Sequence, residues 1–322
     1  MSQKSILVTG GLGAVGRFLV QELRGRGHNV FVADLRHDHD PQFARCDVGE
    51  FHQVERLWTG GGWASGYSAK SRKFDIVYHL AAEFGRWNGE DYFEQVWRTN
   101  AVGTKNILRM QEREGFQAVY FSSSEVYGDF DGVMAEDVLD KVEIKQMNDY
   151  AMSKWVNEMQ VLNSATQFGT QSVRVRLFNT YGPGEYYSPY RSVICLFCYR
   201  LLHDIPITVY RGYKRTSTYI SDMSRTLANI VEKFVPGEVY NIGGDDFHTI
   251  EEAADTILRQ VGKESRRSTL VLTKDEEMLT TREKRVDCSK ARRDLDLRST
   301  VTLDEGIRQT LDWMRSVYRI PQ

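Results

Sequence analysis

Short runs of β-branched and apolar residues alternate with longer stretches of helical period through the first half of the chain. The apolar runs fall at Ser5–Thr9, Asn29–Ala33, Asp75–Leu80 and Ala118–Ser122, with helical patterns over 14–26, 50–58 and 91–114 between them. Alternation of this kind belongs to parallel strands buried on both faces and joined by crossover helices. A helix over 148–167 and a strand over Ser172–Leu177 continue the series. The pattern predicts an α/β fold, a Rossmann-like doubly wound parallel sheet built from residues 1–180. Beyond about residue 180 the elements shorten, and the stretch from Gly182 to Pro189 reads as a loop. A smaller C-terminal substrate-binding lobe is expected over 181–322, with some later segments returning to the sheet.

Composition narrows the class. Hydrophobic residues make up 41% of the 322 positions and charged residues 27%, enough apolar content for a sizeable core. Lys and Arg number 42 against 44 Asp and Glu, so no overall basic field draws nucleic acid or anionic lipid, and any phosphate must be held locally. No run approaches the roughly 20 apolar residues that cross a bilayer; no membrane partner and a cytoplasmic location are expected. Four cysteines are too few for a disulfide framework. Cys195 and Cys198 have the spacing of a metal half-motif, but they sit in an apolar run and read as buried small hydrophobes, so no metal site is expected. The Gly/Ser-rich stretch 59–68 reads as a surface loop with no assigned function, and the charged stretch 263–293 as a solvated surface.

The first strand runs into Thr9-Gly10-Gly11-Leu12-Gly13-Ala14-Val15-Gly16 and then a helical pattern. Glycines at 10, 13 and 16 allow a tight turn, close approach of backbone to a pyrophosphate, and close helix–strand packing. Asp34 closes the second strand, placed to accept hydrogen bonds from an unmodified adenosine ribose. Its charge would repel a 2′-phosphate, which favours NAD over NADP, although Arg36 nearby could pair with such a phosphate. Asp47, in Cys46-Asp47-Val48, is placed either to meet the adenine amino group or to stabilise a turn.

Tyr150 and Lys154, four residues apart on one helix, face the same side. Beside an NAD site the pair acquires a mechanism: the lysine and the positive nicotinamide would lower the tyrosine pKa, so that Tyr150 takes a hydroxyl proton as hydride leaves the same carbon. Ser122, Ser123 and Ser124 end the strand at 118–122, at the edge where ligands of parallel sheets bind.

These motifs resemble the extended short-chain dehydrogenases/reductases of the nucleotide-sugar epimerase/dehydratase family. Besides the glycine run and Tyr150-x-x-Ser153-Lys154, the likeness includes His79-Leu80-Ala81-Ala82, Asn100-Ala101-Val102-Gly103-Thr104, the stretch from Arg176 to Pro183, and Tyr240-Asn241-Ile242-Gly243-Gly244. The resemblance implies that Ala81 and Ala82 lie along NAD, Asn100 near it, Tyr181 beside the nicotinamide and Lys154 on the nicotinamide ribose; Val48, next to Asp47, is a further cofactor-binding candidate. It makes Ser123 the catalytic hydroxyl, with Ser124 its neighbour at the substrate. Asn179 and Arg215 would bind the diphosphate of a nucleotide sugar, and Arg282 is a weaker candidate for the same task. A homodimer formed through 91–114 and 148–167 is also implied.

The family oxidises its sugar at C4, and the branch that follows is what Glu125 bears on. An epimerase returns hydride to the other face of the 4-keto sugar and needs no further acid or base. A 4,6-dehydratase uses a carboxylate two residues after the catalytic hydroxyl to remove the C5 proton, and here that position is Glu125; the usual acid at 124 is replaced by Ser124. Arg191 and Arg86 could clamp a sugar carboxylate. The preferred expectation is a C4 epimerase of a nucleotide sugar, a UDP-hexuronate among the candidates. A 4,6-dehydratase or uronate decarboxylase using Glu125 is the alternative. A non-enzymatic NAD-binding protein is disfavoured because Ser123, Tyr150 and Lys154 are all present, and a plain reductase would have no need of Asn179 and Arg215.

Overall fold

The structure is a computed structural model that describes residues 2–60 and 71–320; most of the Gly/Ser-rich stretch lies outside the described residues. Seven strands form one parallel sheet: β1 (Ser5–Thr9), β2 (Asn29–Asp34), β3 (Phe43–Arg45), β4 (Ile76–His79), β5 (Gln117–Ser123), β6 (Ser172–Leu177) and β7 (Val239–Ile242). Their spatial order is β7-β6-β5-β4-β1-β2-β3, so the winding reverses at β1 between β2 and β4. Ligands of such sheets bind outside the carboxyl ends at that reversal.

Both faces of the sheet are covered. Ile6, Val8, Val30, Val32, Ile76 and Tyr78 belong to one core, and Leu7, Phe31, Ala33, Val77 and Ala118 to the other. This is why the strands read as unbroken apolar runs. The covering helices include α1 (Ala14–Gly25), α2 (Phe51–Thr59), α3 (Gly103–Glu114), α4 (Asp149–Phe168) and α5 (Ile220–Asn229). Among the described residues no helix is long and apolar enough to cross a membrane.

Strand β7 and helix α5 come from beyond residue 181 yet complete the large sheet and pack on α1. Three C-terminal strands and one from the first half build a four-stranded sheet in the order Phe247–Thr249, Lys214–Thr216, Glu283–Val286, Val133–Met134. Its register sets Arg215 directly beside Lys284, two residues 69 apart in sequence.

The helix expected over 91–114 is interrupted. Tyr92 leaves helical geometry at φ −138°, ψ 51°, separating Arg86–Asp91 from Phe93–Trp97, and residues Arg98–Val102 then form a π-turn before α3. The extra residue of that turn rotates Asn100 inward, where it is 1% exposed. The short strand β3 was not expected either, since three residues carry no readable period.

Candidate active site

The chain leaves β1 through Gly10 at φ +71°, a left-handed conformation that favours glycine. A Cβ on Gly10 would stand 2.6 Å from the Ala81 nitrogen, and one on Gly16 2.2 Å from the Gly10 carbonyl oxygen. Gly13 caps α1, whose first turn carries no acidic residue, so its free N–H groups are left for an anion. Asp34 accepts from the Leu12 nitrogen at 2.9 Å and the Arg36 nitrogen at 3.0 Å, which leaves carboxylate lone pairs for ribose hydroxyls. The Arg36 guanidinium turns back onto the Leu12 carbonyl and lies 3.6 Å from Asp34, tied to the loop instead of offered to a 2′-phosphate. A cradle that a side chain would fill, a helix N-terminus and a ribose acid fit NAD.

Ala81, Ala82, Asp47, Val48 and Tyr181 line the same cleft. Asp47 holds a turn, accepting from the Gly49 nitrogen at 2.9 Å, with Arg98 3.4 Å away. Asn100 stands beside the cleft without lining it, its side chain bonding the Glu83 N–H, the Glu83 carbonyl and Ser153 Oγ. It fixes the loop after β4 against α4, a positioning role. His79 is likewise a core residue, held between Thr9 and Thr104, and burial takes its pKa down to about 3.

Ser123 ends β5, and Tyr150 and Lys154 project from the first turns of α4, where Asn148 caps the helix by accepting from the Ala151 nitrogen. Ser123 and Tyr150 line the cleft together. Lys154 Nζ donates to the Phe121 carbonyl at 3.0 Å and stands 5.9 Å from the Tyr150 ring centre. Burial takes Lys154 down to about 8 and pushes Tyr150 up to about 12. The expected lowering of the tyrosine is therefore not what the protein alone produces. NAD, when bound, accepts the hydride and brings a positive ring to this end of the cleft. Ser122 also lines the cleft, but its hydroxyl donates at 2.5 Å to Glu158, one turn beyond Lys154 on α4.

Glu125 opens the short helix after β5, its backbone N–H donating to Ser123 Oγ at 3.2 Å. Its carboxylate pairs with Lys284, whose side chain is 3% exposed and stands behind it, off the cleft lining. Burial alone would raise the Glu125 carboxyl, but Lys284, Arg86 and Arg215 outweigh it and hold it below its ordinary value. Burial takes Lys284 down to about 8 despite the carboxylate.

Arg86, Arg191, Arg215, Asn179 and Ser124 also line the cleft. Asn179 holds φ 35° and donates to the Thr216 carbonyl at 2.9 Å, a non-glycine residue in a sparsely populated region, as is common at ligand sites. Arg191 lies 4.0 Å over the Phe84 ring and donates one Nε bond to the Tyr186 carbonyl. Arg86 and Arg215 instead share Glu277. Arg282 turns away from the expected role: its side chain is exposed, lies over Tyr213 and does not line the cleft. Only its carbonyl takes part, accepting from Arg215 at 2.9 Å. Glu277 and Lys284 were missed because both lie in the charged stretch 263–293, which is not uniformly solvated. Cys195 and Cys198 are buried, and among the described residues no metal-ligating cluster forms.

The chain is 29% identical over 324 aligned residues to the UDP-N-acetyl-alpha-D-glucosaminuronate decarboxylase of Bacillus cytotoxicus, covering 98% of this chain and 99% of that one. Its fold matches Epimerase Mth375 of Methanothermobacter thermautotrophicus with a TM-score of 0.85 at 25% identity, covering 99% and 94%. It also matches MoeE5 in complex with UDP-glucuronic acid and NAD, with a TM-score of 0.82 at 25% identity, covering 97% and 99%. A family model spans residues 6–243, from β1 with its glycine cradle to the end of the sheet at β7. With NAD as its cofactor, the chain belongs to the NAD dependent epimerase/dehydratase family.

Proposed function

We propose that the protein decarboxylates a nucleotide-diphosphate hexuronate after oxidising it at C4 with Ser123, Tyr150 and Lys154. The observation that carries this reading is the buried Glu125–Lys284 pair beside Tyr150. Burying two charges costs several kcal/mol, and an epimerase has no step that uses them. A dehydratase needs a strong base at C5, whereas Glu125 is held ionised below its ordinary pKa and tied to an ammonium. A 4-keto uronate needs no base at C5. Its C5–C6 bond breaks with loss of carbon dioxide, the electron pair moves towards the C4 oxygen, and a proton must then be delivered to C5 before the hydride taken at the outset is returned to C4. Lys284 carries the proton at rest, and the ionised Glu125 relays it to C5, taking it from the ammonium as C5 gains it. Arg191, which keeps free donors, suits the sugar carboxylate, and Asn179 with Arg215 the diphosphate. The Bacillus cytotoxicus decarboxylase and MoeE5 with its bound uronate support the same class of substrate.

This places decarboxylation ahead of the C4 epimerisation preferred from sequence. Epimerisation of the same hexuronate remains the second reading, supported by the likeness to Epimerase Mth375. Proton NMR in deuterated water with UDP-, dTDP-, GDP- and CDP-sugars, uronates included, separates the two. Decarboxylation gives a pentose product with deuterium at C5, and epimerisation a C4 epimer without it. Glu125→Gln should slow decarboxylation on the order of tenfold, less than the full general-acid contribution because water can replace the donor. An unslowed Glu125→Gln would remove Glu125 from the reaction.

We also propose a homodimer. Helix α4 buries Ser153, Lys154, Asn157, Glu158 and Ser164 along with Ala151 and Val161, while exposing Met152, Met159 and Leu162, so its outward face keeps apolar residues that a partner could cover. Phe93 and Val102 add to the exposed apolar surface. Sedimentation should give a dimer, and Leu162→Glu with Met159→Glu should shift it to monomer; a wild-type monomer at micromolar concentration would refute the assignment.

A further inference from the structure

Glu277 is a buried acid that the reaction does not call for. It lies in the segment 275–280, between the strands Val271–Lys274 and Glu283–Val286, with a side chain only 15% exposed. One carboxylate oxygen accepts from Arg86 Nη2 at 2.8 Å, and the other stands 3.5 Å from Arg215 Nη2. The backbone is fixed too: the Glu277 N–H donates to the Tyr213 hydroxyl at 2.8 Å, and the Leu279 carbonyl accepts from Asn148 Nδ2 at 3.2 Å.

Arg86 and Arg215 reach this point from opposite walls, one after β4 and the other from the small sheet. Two guanidiniums converging in a partly buried cleft repel each other unless an anion lies between them. Glu277 supplies it, but unevenly. Its contact with Arg86 is short and its contact with Arg215 long. Arg215 spends its other bonds on neutral groups, namely the Lys214 and Arg282 carbonyls and Thr280 Oγ1. Burial accordingly holds Arg215 below its ordinary pKa, while Glu125 and Glu277 outweigh burial at Arg86 and raise it. Arg215 is the under-compensated partner, the one a stronger anion would win.

We propose that Glu277 is a resident counter-anion that competes with the substrate's diphosphate for Arg215 and so sets the affinity of the cleft for diphosphates. The inference rests on the reading of Arg215 as the diphosphate residue. A diphosphate oxygen and the carboxylate seek the same planar fork. On substrate binding Glu277 keeps Arg86 and gives up Arg215. Arg86 therefore stays neutralised, and a sugar carboxylate is left to Arg191.

Calorimetric titration of the NAD-loaded protein with inorganic pyrophosphate tests this without presuming a base. Glu277→Gln should tighten binding about fivefold or more, and Glu277→Asp, which keeps the charge, should not. Arg215→Ala should weaken binding, and adding Glu277→Gln to it should restore nothing. If Arg215→Ala weakens binding but Glu277→Gln leaves it unchanged or weaker, the competition is refuted and the diphosphate reading stands. If Arg215→Ala leaves binding unchanged, the diphosphate reading itself fails. Thermal melts of each variant separate loss of fold from loss of competition, and Glu277→Asp keeps the comparison open if the glutamine variant does not fold.

Discussion

Tyr150→Phe is expected to lower turnover by about 10²–10⁴-fold, the range of a lost general acid–base group, with the bound NAD retained. The substitution removes one oxygen and keeps the ring, and the cofactor cradle is built from other residues, Gly10, Gly16 and Asp34. What is lost is the phenol that faces the cleft with Ser123 and Lys154, and on the proposed reading it shares the sugar oxygen with Ser123. Burial pushes Tyr150 up to about 12, so the protein alone does not prepare a phenolate at neutral pH. Proton transfer has to be driven by positive charge beside the ring. Lys154 contributes part of it, and burial brings that lysine down to about 8, so its charge falls away as pH rises past that value. Turnover should therefore decline above about pH 8 in the wild type, and Lys154→Met should remove this limb of the profile. Steady-state rates, with extraction and quantitation of bound NAD, check both points. Undiminished turnover in Tyr150→Phe would exclude it as the proton acceptor.

The cofactor half of the site was legible because local rules govern it. A strand, a turn that only glycine can make and an acid at the next strand end are all short-range features, and Gly10, Gly16 and Asp34 stand where the pattern put them. Tyr150 and Lys154 were legible for the same reason, through helical spacing. Asn100 stands off the cleft lining because a π-turn, which no period announces, turns its side chain to the Glu83 backbone and Ser153. The substrate half depends on long-range pairing. Lys284 reaches Glu125 only because the Glu283–Val286 strand lies parallel to Lys214–Thr216, and Glu277 reaches Arg86 across 191 residues. A charge run such as 263–293 has the same composition whether its members face water or each other.

Glu158→Gln is expected to cost about 3–5 kcal/mol of stability, the usual penalty for removing one partner of a buried ion pair. Glu158 is 2% exposed and receives two bonds from Arg176, at 2.9 and 2.8 Å, one from Arg174 at 3.0 Å, and the Ser122 hydroxyl. Arg176 also donates to Tyr127, which in turn donates to Asn241 on β7. An amide keeps the shape but cannot neutralise two arginines, and it leaves Arg176 charged in a site where it is itself 2% exposed. Replacing both members, Glu158→Gln with Arg176→Met, should recover part of the loss, since the penalty lies in the orphaned charge. The pH dependence gives an independent check. Burial would raise the Glu158 carboxyl, but the arginines and Ser122 outweigh it and hold it below its ordinary value. Its stabilisation is thus full above the ordinary carboxylate range and is lost as pH falls through the lowered value. Urea titrations across that acidic window should show wild-type stability falling, with a shallower fall in Glu158→Gln. Equal slopes, or a loss under 1 kcal/mol at neutral pH, would mean that the network is solvated.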